Sequence, residues 1–222
     1  MLFLRIEKIL ILKGRYYSMN ALDNLLANAL STMIEAKLGK ITVNKIEKRL
    51  KERYNIEIID AIRDFQKMDA TLREFFGPGA DEIEKDFLTD FISLDKTKKE
   101  NSWLTIENQK LASFILESFG DPDKKRILEA SLSQPNVILG ILENCNMPKS
   151  SGYRVIKELI DDGLLTEEGF STTRDGKKVN KYTSIFENIK IDIQGPEQKI
   201  IVKVQINEKF IRESFLIKLM GG

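Results

Sequence analysis

The order of patterns between residues 124 and 184 constrains the fold more than any other feature of the chain. Three short stretches with apolar residues at helical spacing come first, and two strand-like stretches follow. Pro135 is expected near the start of the second helix, with Val137 in its apolar stripe. Residues 144–146 break the pattern as a turn, and Gly163 suits a left-handed end to the third helix. These signals predict a helix-turn-helix followed by a β-hairpin.

The third helical stretch, which Pro148 opens, is amphipathic. Its outward side carries hydroxyl and basic groups, which can bind phosphate or base edges at the start of a recognition helix. This outward set consists of Lys149, Ser150, Ser151, Tyr153, Arg154 and Lys157. Taken alone, the pattern favours the simpler interpretation of an ordinary amphipathic helix with a solvated face.

The hairpin that follows changes this balance. Asp175 and Gly176 lie between two strand-like stretches, which is a strong hairpin signal. A basic tip suits contact with phosphate and makes affinity fall with salt. Between Ser171 and Tyr182, Asp175 is the one acid, and the bases are Arg174, Lys177, Lys178 and Lys181. Helix and hairpin together predict nucleic-acid binding by a winged helix-turn-helix.

Three segments of this half resemble the winged helix-turn-helix regulators of the ArsR-like type, especially archaeal ones. They are residues 119–133 (FGDPDKKRILEASLS), 147–165 (MPKSSGYRVIKELIDDGLL) and 172–184 (TTRDGKKVNKYTS). The resemblance implies that residues 148–162 form the recognition helix and that Arg174, Lys177 and Lys178 form the wing tip. It also implies a homodimer on double-stranded DNA. Metal-sensing members use Cys and His ligands, whereas this chain has one Cys and no His, so such a sensor is not expected.

Residues 19–95 carry a series of helical patterns that ends with an abrupt turn at Gly77-Pro78-Gly79 and one more helix. Thr42 is expected to cap the second helix of this region, and Asp81 to cap the last, which is expected to reach Ile92. The acidic run 81–86 is interpreted as a solvated helix face.

This region resembles the NitrOD family, small helical output domains of archaeal regulators. The resemblance rests on residues 21–30 (ALDNLLANAL), 50–57 (LKERYNIE) and, above all, 72–88 (LREFFGPGADEIEKDFL). It implies a regulatory module and gives no ligand. We therefore expect this region to receive a signal, from a small effector or a protein partner.

The remaining segments set the domain boundaries. Residues 1–18 are interpreted as an extension upstream of a native start at Met19, or alternatively as a genuine strand or helix that covers part of the core. Residues 19–95 form the helical domain, and 96–103 the linker. Residues 104–222 form the winged helix-turn-helix domain, which ends in a hairpin (186–193 and 199–206) and a helix over 210–220. This tail either builds a two-fold dimer or packs on its own domain.

Composition sets the outer limits. The 222 residues are 42% hydrophobic and 31% charged, which is typical of globular domains. The net charge of +1 gives no bulk attraction to nucleic acid, so the prediction depends on local patches. A single Cys fits a reducing cytoplasm. The apolar start of the chain is too short and too charged to span a bilayer, so no membrane association is expected.

The sequence offers little for catalysis. There is no His for a general base, and Cys145 lacks a His partner. We therefore expect no enzyme, no cofactor and no metal. The expected fold is mainly α with a β-wing, in the α+β class, and the expected function is cytoplasmic, DNA-binding transcriptional regulation. The main alternative is a winged-helix module that contacts protein and never DNA, which the near-neutral charge favours.

Overall fold

The computed structural model describes residues 21–89, 92–94, 103–196 and 199–214. The predicted extension 1–18, most of the linker 96–103 and the C-terminal helix beyond residue 214 lie outside these residues. The described part is a mixture of helices and small antiparallel sheets, which confirms the α+β class. No helix within it is both long enough and apolar enough to cross a lipid bilayer.

The N-terminal region is helical, as predicted. Its helices are α1 (Ala21–Leu38), α2 (Lys40–Tyr54), α3 (Ile58–Arg63), α4 (Phe65–Phe76) and α5 (Ala80–Thr89), with a 3-10 turn at Gly77–Gly79. Residues with positive φ separate α1 from α2 at Gly39 (77°) and end α2 at Asn55 (54°).

Two predicted helix caps in this region are wrong. Helix α2 begins at Lys40, directly after Gly39, so Thr42 lies inside its first turn. Helix α5 begins at Ala80 because the 3-10 turn runs straight into it, and Asp81 pairs with Arg73 instead of capping.

A second group of helices follows. It contains α6 (Gln109–Gly120), α7 (Pro122–Ala130), α8 (Ile138–Asn144), α9 (Lys149–Asp161) and the short α10 (Glu208–Glu213). Their buried residues keep the predicted helical spacing, as with Ile141 and Leu142 on α8 and Val155, Ile156 and Leu159 on α9.

Three strands form the smaller sheet: β3 (Asn136–Val137), β4 (Leu165–Thr172) and β5 (Lys178–Ser184). Their order in the sheet is β3-β5-β4. Strand β3 pairs Val137 with Lys181, so Val137 is not in the helical stripe that the sequence predicted, and Pro135 precedes a strand. Strands β4 and β5 form the predicted hairpin, with a register shift between Glu167 and Phe170.

The larger sheet contains β1 (Ile92–Leu94), β2 (Leu104–Ile106), β6 (Phe186–Gln194) and β7 (Lys199–Ile206). Their order in the sheet is β1-β2-β7-β6, and all neighbouring strands are antiparallel. Ile92 therefore lies in a strand and not in the preceding helix, because it pairs with Ile106. The sheet takes strands from both sides of the predicted linker.

Buried side chains from both halves of the chain form one apolar core. Helix α1 contributes Leu22, Leu25 and Leu26, each nearly fully buried. Its first turn also touches the loop after α9, where the main chain of Gly163 packs against Ala21 and Leu25. Burial of each such leucine contributes about 1.5–3 kcal/mol, so α1 is an integral part of the packing around the end of α9.

Candidate nucleic-acid interface

Helices α8 and α9 are joined by a tight turn. Helix α8 ends at Asn144, Asn146 adopts a left-handed conformation (φ 49°), and Pro148 immediately precedes α9. The helices cross closely because Gly152 lacks a side chain: a Cβ there would lie 2.3 Å from Cδ2 of Leu142. This is the turn that the sequence predicted at residues 144–146.

The lone thiol lies inside this turn. Cys145 is buried, and its Sγ donates a hydrogen bond to the main-chain oxygen of Arg126 at 3.2 Å. Burial raises the pKa of the Cys145 thiol, so the neutral form is favoured. This environment suits a packing role between α7 and α8 and does not suit a nucleophile.

The outward set on α9 divides into exposed and half-buried members. Lys149, Ser150, Arg154 and Lys157 are exposed. Ser151 is half-buried and donates its hydroxyl to the oxygen of Pro148 at 3.2 Å, and Tyr153 packs partly against the core. The exposed members, three of them basic, therefore provide the accessible chemistry of this face.

Charge is segregated along α9. The bases Lys149, Arg154 and Lys157 come first, whereas the C-terminal end carries Glu158, Asp161 and Asp162. Two cations meet these acids. Arg154 bonds Glu158 at 2.5 Å, and Lys124 of α7 lies 3.3 Å from Asp162 and 4.0 Å from Glu158. Glu158 and Asp162 are thus paired with bases of the protein, whereas Asp161 is exposed.

The tip of the β4–β5 hairpin is ordered by its own side chains. The hydroxyl of Thr173 donates to Asp175 and accepts from the main-chain N–H of Lys177 at 3.1 Å. Gly176 supplies the positive φ (80°) that the turn requires. The Thr173 hydroxyl and Lys177, which lies 3.2 Å away, hold the pKa of Asp175 below its usual range. The tip therefore presents Arg174 and Lys177 on a defined turn.

The arms of the hairpin combine basic and apolar groups. Lys178 is exposed, with its Nζ 4.4 Å from the centre of the Phe170 ring, in a cation–π contact. Phe170 is 55% exposed and Val179 is 36% exposed. Lys181 is half-buried, and its main chain pairs with that of Val137 on β3. Sequence analysis did not identify the two apolar residues, although their place beside a basic hairpin tip was a usable signal.

The structure thus distributes the ten predicted residues over two elements, six on α9 and four on the hairpin. Lys178 contacts the Phe170 ring, Lys177 pairs with Asp175, and Arg154 pairs with Glu158.

In comparisons with known protein families, with curated proteins and with solved structures, no match to this chain is found.

Proposed function

We propose that the protein is a DNA-binding transcriptional regulator of the winged helix-turn-helix type. In this proposal α9 enters the major groove, and the β4–β5 hairpin acts as a wing on the flanking backbone. The observation that carries it is the distribution of charge on these elements. Both elements expose bases: Lys149 at the start of α9, with Lys157 about two turns later, and Arg174 at the hairpin tip.

The start of α9 adds a second attraction for phosphate. Within the described residues, no side chain caps its first turn. The N–H groups of a helix start and the positive end of its dipole bind anions. Lys149 and Ser150 are exposed at the same position, so a phosphate held there would meet main-chain and side-chain donors together.

Dimerisation and signal input complete the proposal. As in the ArsR-like regulators that the sequence resembles, the protein is proposed to bind a pseudo-palindromic site as a homodimer. The N-terminal helices are proposed to receive a small effector or a protein partner, and α1 supports this role because it packs on the end of α9. The stoichiometry of protein on a duplex of defined length tests the dimer.

A second candidate is a winged-helix module that binds protein and not DNA. The exposed rings and methyl groups of Phe170 and Val179 on the hairpin favour it, because apolar and aromatic side chains are enriched in the cores of protein interfaces. In this alternative the same hairpin inserts Phe170 into a partner, and the neighbouring Lys178 contacts the rim.

The deciding experiment is binding of the purified full chain to DNA from upstream of its own coding sequence and to random duplex, across a salt series. We expect selective binding that weakens steeply with salt. Arg154→Ala and Lys177→Ala should each lower affinity and reduce the salt slope by about one unit. The matched control is Lys48→Ala. The side chain of Lys48 is as exposed as that of Lys177 (79%), but it lies on α2.

Failure to bind either duplex at low salt would exclude the regulator. Equal effects of Lys48→Ala and Lys177→Ala would exclude the hairpin as the contact. In either case, the next measurement is the effect of Phe170→Ser on the capture of protein partners.

A further inference from the structure

One carboxylate in the helical region is buried, contrary to the interpretation of residues 81–86 as a solvated helix face. Glu84 is only 2% exposed, and within the described residues its Oε1 has no hydrogen-bond partner. The reason is its register: it lies four residues after Ala80 and three before Phe87, both buried, on the inner face of α5. Buried polar groups are nearly always satisfied by protein, water or an ion, so a partner for this oxygen is expected.

Two further carboxylates converge on the same point. The 3-10 turn folds α5 back against α4, which brings Asp69 of α4 beside Asp81 and Glu84 of α5. One oxygen of each of the three side chains lies within 4.8 Å of the other two. Asp81 and Glu84 are one turn apart on α5, so both project from the same side of the helix.

Arg73 neutralises part of this charge. Its Nε donates to Oδ1 of Asp69 at 2.7 Å, and its terminal nitrogen donates to Oδ1 of Asp81. One guanidinium faces three carboxylates, so an excess of negative charge remains. Burial, together with the nearby Asp69 and Asp81, raises the pKa of Glu84 to about 7 despite the opposing effect of Arg73.

We infer that Asp69, Asp81 and Glu84 form a binding site for a hard divalent cation such as Mg²⁺, Ca²⁺ or Mn²⁺. All three ligands are carboxylate oxygens, which these ions prefer, and no soft ligand is among them. One carboxylate oxygen of each residue would coordinate the ion, while Arg73 keeps its contacts with Oδ1 of the two aspartates. Water completes the coordination, as is usual for Mg²⁺.

The test is titration of the full chain, first treated with chelator, with MgCl₂, CaCl₂ and MnCl₂ at constant ionic strength. Calorimetry measures ion binding directly. Thermal unfolding measures how much the bound ion stabilises the folded protein. We expect saturable binding of one ion per chain and a melting temperature that rises with ion concentration. Glu84→Gln and Asp81→Asn should each weaken binding on the order of tenfold or more, since loss of an outer-shell partner alone costs that much.

The matched control is Glu82→Gln, which makes the same charge change at an exposed position in the same turn of α5. It should bind the ion like the parent chain. Absence of saturable binding by all three ions would overturn the inference. Equal weakening by Glu82→Gln and Asp81→Asn would also overturn it, because that result indicates a non-specific effect of net charge on ion binding.

Asp81 is largely exposed, so Asp81→Asn keeps the test decisive should Glu84→Gln fail to fold. The experiment involves no DNA, and its outcome is independent of the proposed regulator.

Discussion

The side-chain amide of Asn24 donates to the main-chain oxygen of Asp161 at 3.0 Å and to that of Ile160 at 3.3 Å. Both are terminal carbonyls of α9, where intrahelical partners run out, and that of Ile160 also accepts the main-chain N–H of Gly163 at 3.0 Å. Asn24 lies in the first turn of α1, so the N-terminal helices supply part of the C-terminal cap of the proposed recognition helix. Side chains near residue 24 can therefore influence how α9 is held.

Asn24→Ala should lower the free energy of unfolding by about 1–2 kcal/mol, because it leaves the partly buried carbonyls of α9 without this donor. Urea unfolding measures the change. Asn44→Ala is the matched control: Asn44 is exposed on α2, so its replacement should change stability by less than about 0.5 kcal/mol. Equal losses in the two variants would show that the Asn24 bonds contribute nothing.

Gly163→Ala should be more damaging. Gly163 has φ of 75°, and a Cβ there would lie 2.5 Å from the main-chain nitrogen of Leu25 and 2.6 Å from the oxygen of Ala21. Left-handed strain and overpacking together should cost about 2–4 kcal/mol. Gly169 has nearly the same φ, 76°, with no described atom within 4 Å of the Cβ position. Gly169→Ala should therefore cost only about 1 kcal/mol, and thermal or urea unfolding of the pair separates the clash from the backbone strain.

Glu158→Gln should strengthen DNA binding under the proposed function. The substitution removes an acid from the proposed DNA face and releases Arg154, which Glu158 holds at 2.5 Å. We expect affinity to rise severalfold at low salt, because the DNA phosphates no longer face this acid and Arg154 no longer divides its charge between Glu158 and phosphate. Glu47→Gln, at an exposed position on α2, is the control. Weaker binding by Glu158→Gln would mean that the ion pair positions Arg154 productively.

Asp121 should make the stability of α7 depend on pH. Its carboxylate accepts the main-chain N–H groups of Lys124 at 2.9 Å and Asp123 at 2.8 Å, which lowers its pKa in the folded protein. A lowered pKa stabilises the fold above the unfolded-state value, about 3.9, and this contribution is lost as the pH falls through the folded value.

Asp121→Ala should therefore cost about 1 kcal/mol at neutral pH, and the difference from the parent chain should shrink below about pH 4. Chemical denaturation at pH 7, 5 and 3 measures it. Asp121→Asn is the control for the cap itself, since Asn caps nearly as well as Asp. A cost of Asp121→Ala that stays constant with pH would exclude a role for the ionised carboxylate.

Local patterns in the sequence predicted most helices and the hairpin, because their signals are contained within a few residues. The spacing of Val155, Ile156 and Leu159 defines the buried side of α9, and Asp175-Gly176 defines the turn. The sequence also contains a charge pair that was not predicted. Arg154 and Glu158 are four residues apart on a helix, a spacing at which opposite charges meet.

The errors occur where distant residues decide the structure. Val137 is apolar at helical spacing, yet it lies in β3 because a partner strand is available at Lys181, 44 positions later in the chain. Ile92 lies in β1 for the same reason, since Ile106 pairs with it. The charged neighbours of Glu84 predict a solvated side chain, but the packing of α5 on α4 buries it.

The pairing of β1 with β2 also has a consequence for chain entropy. Leu94 and Leu104 are directly opposite each other on adjacent strands, so the sheet holds side by side two points that are ten positions apart in the chain. Closing a chain between two fixed points costs only about 0.6 kcal/mol more for each doubling of the length between them. An insertion between Leu94 and Leu104 should therefore cost little free energy, while the sheet fixes the positions of these two residues.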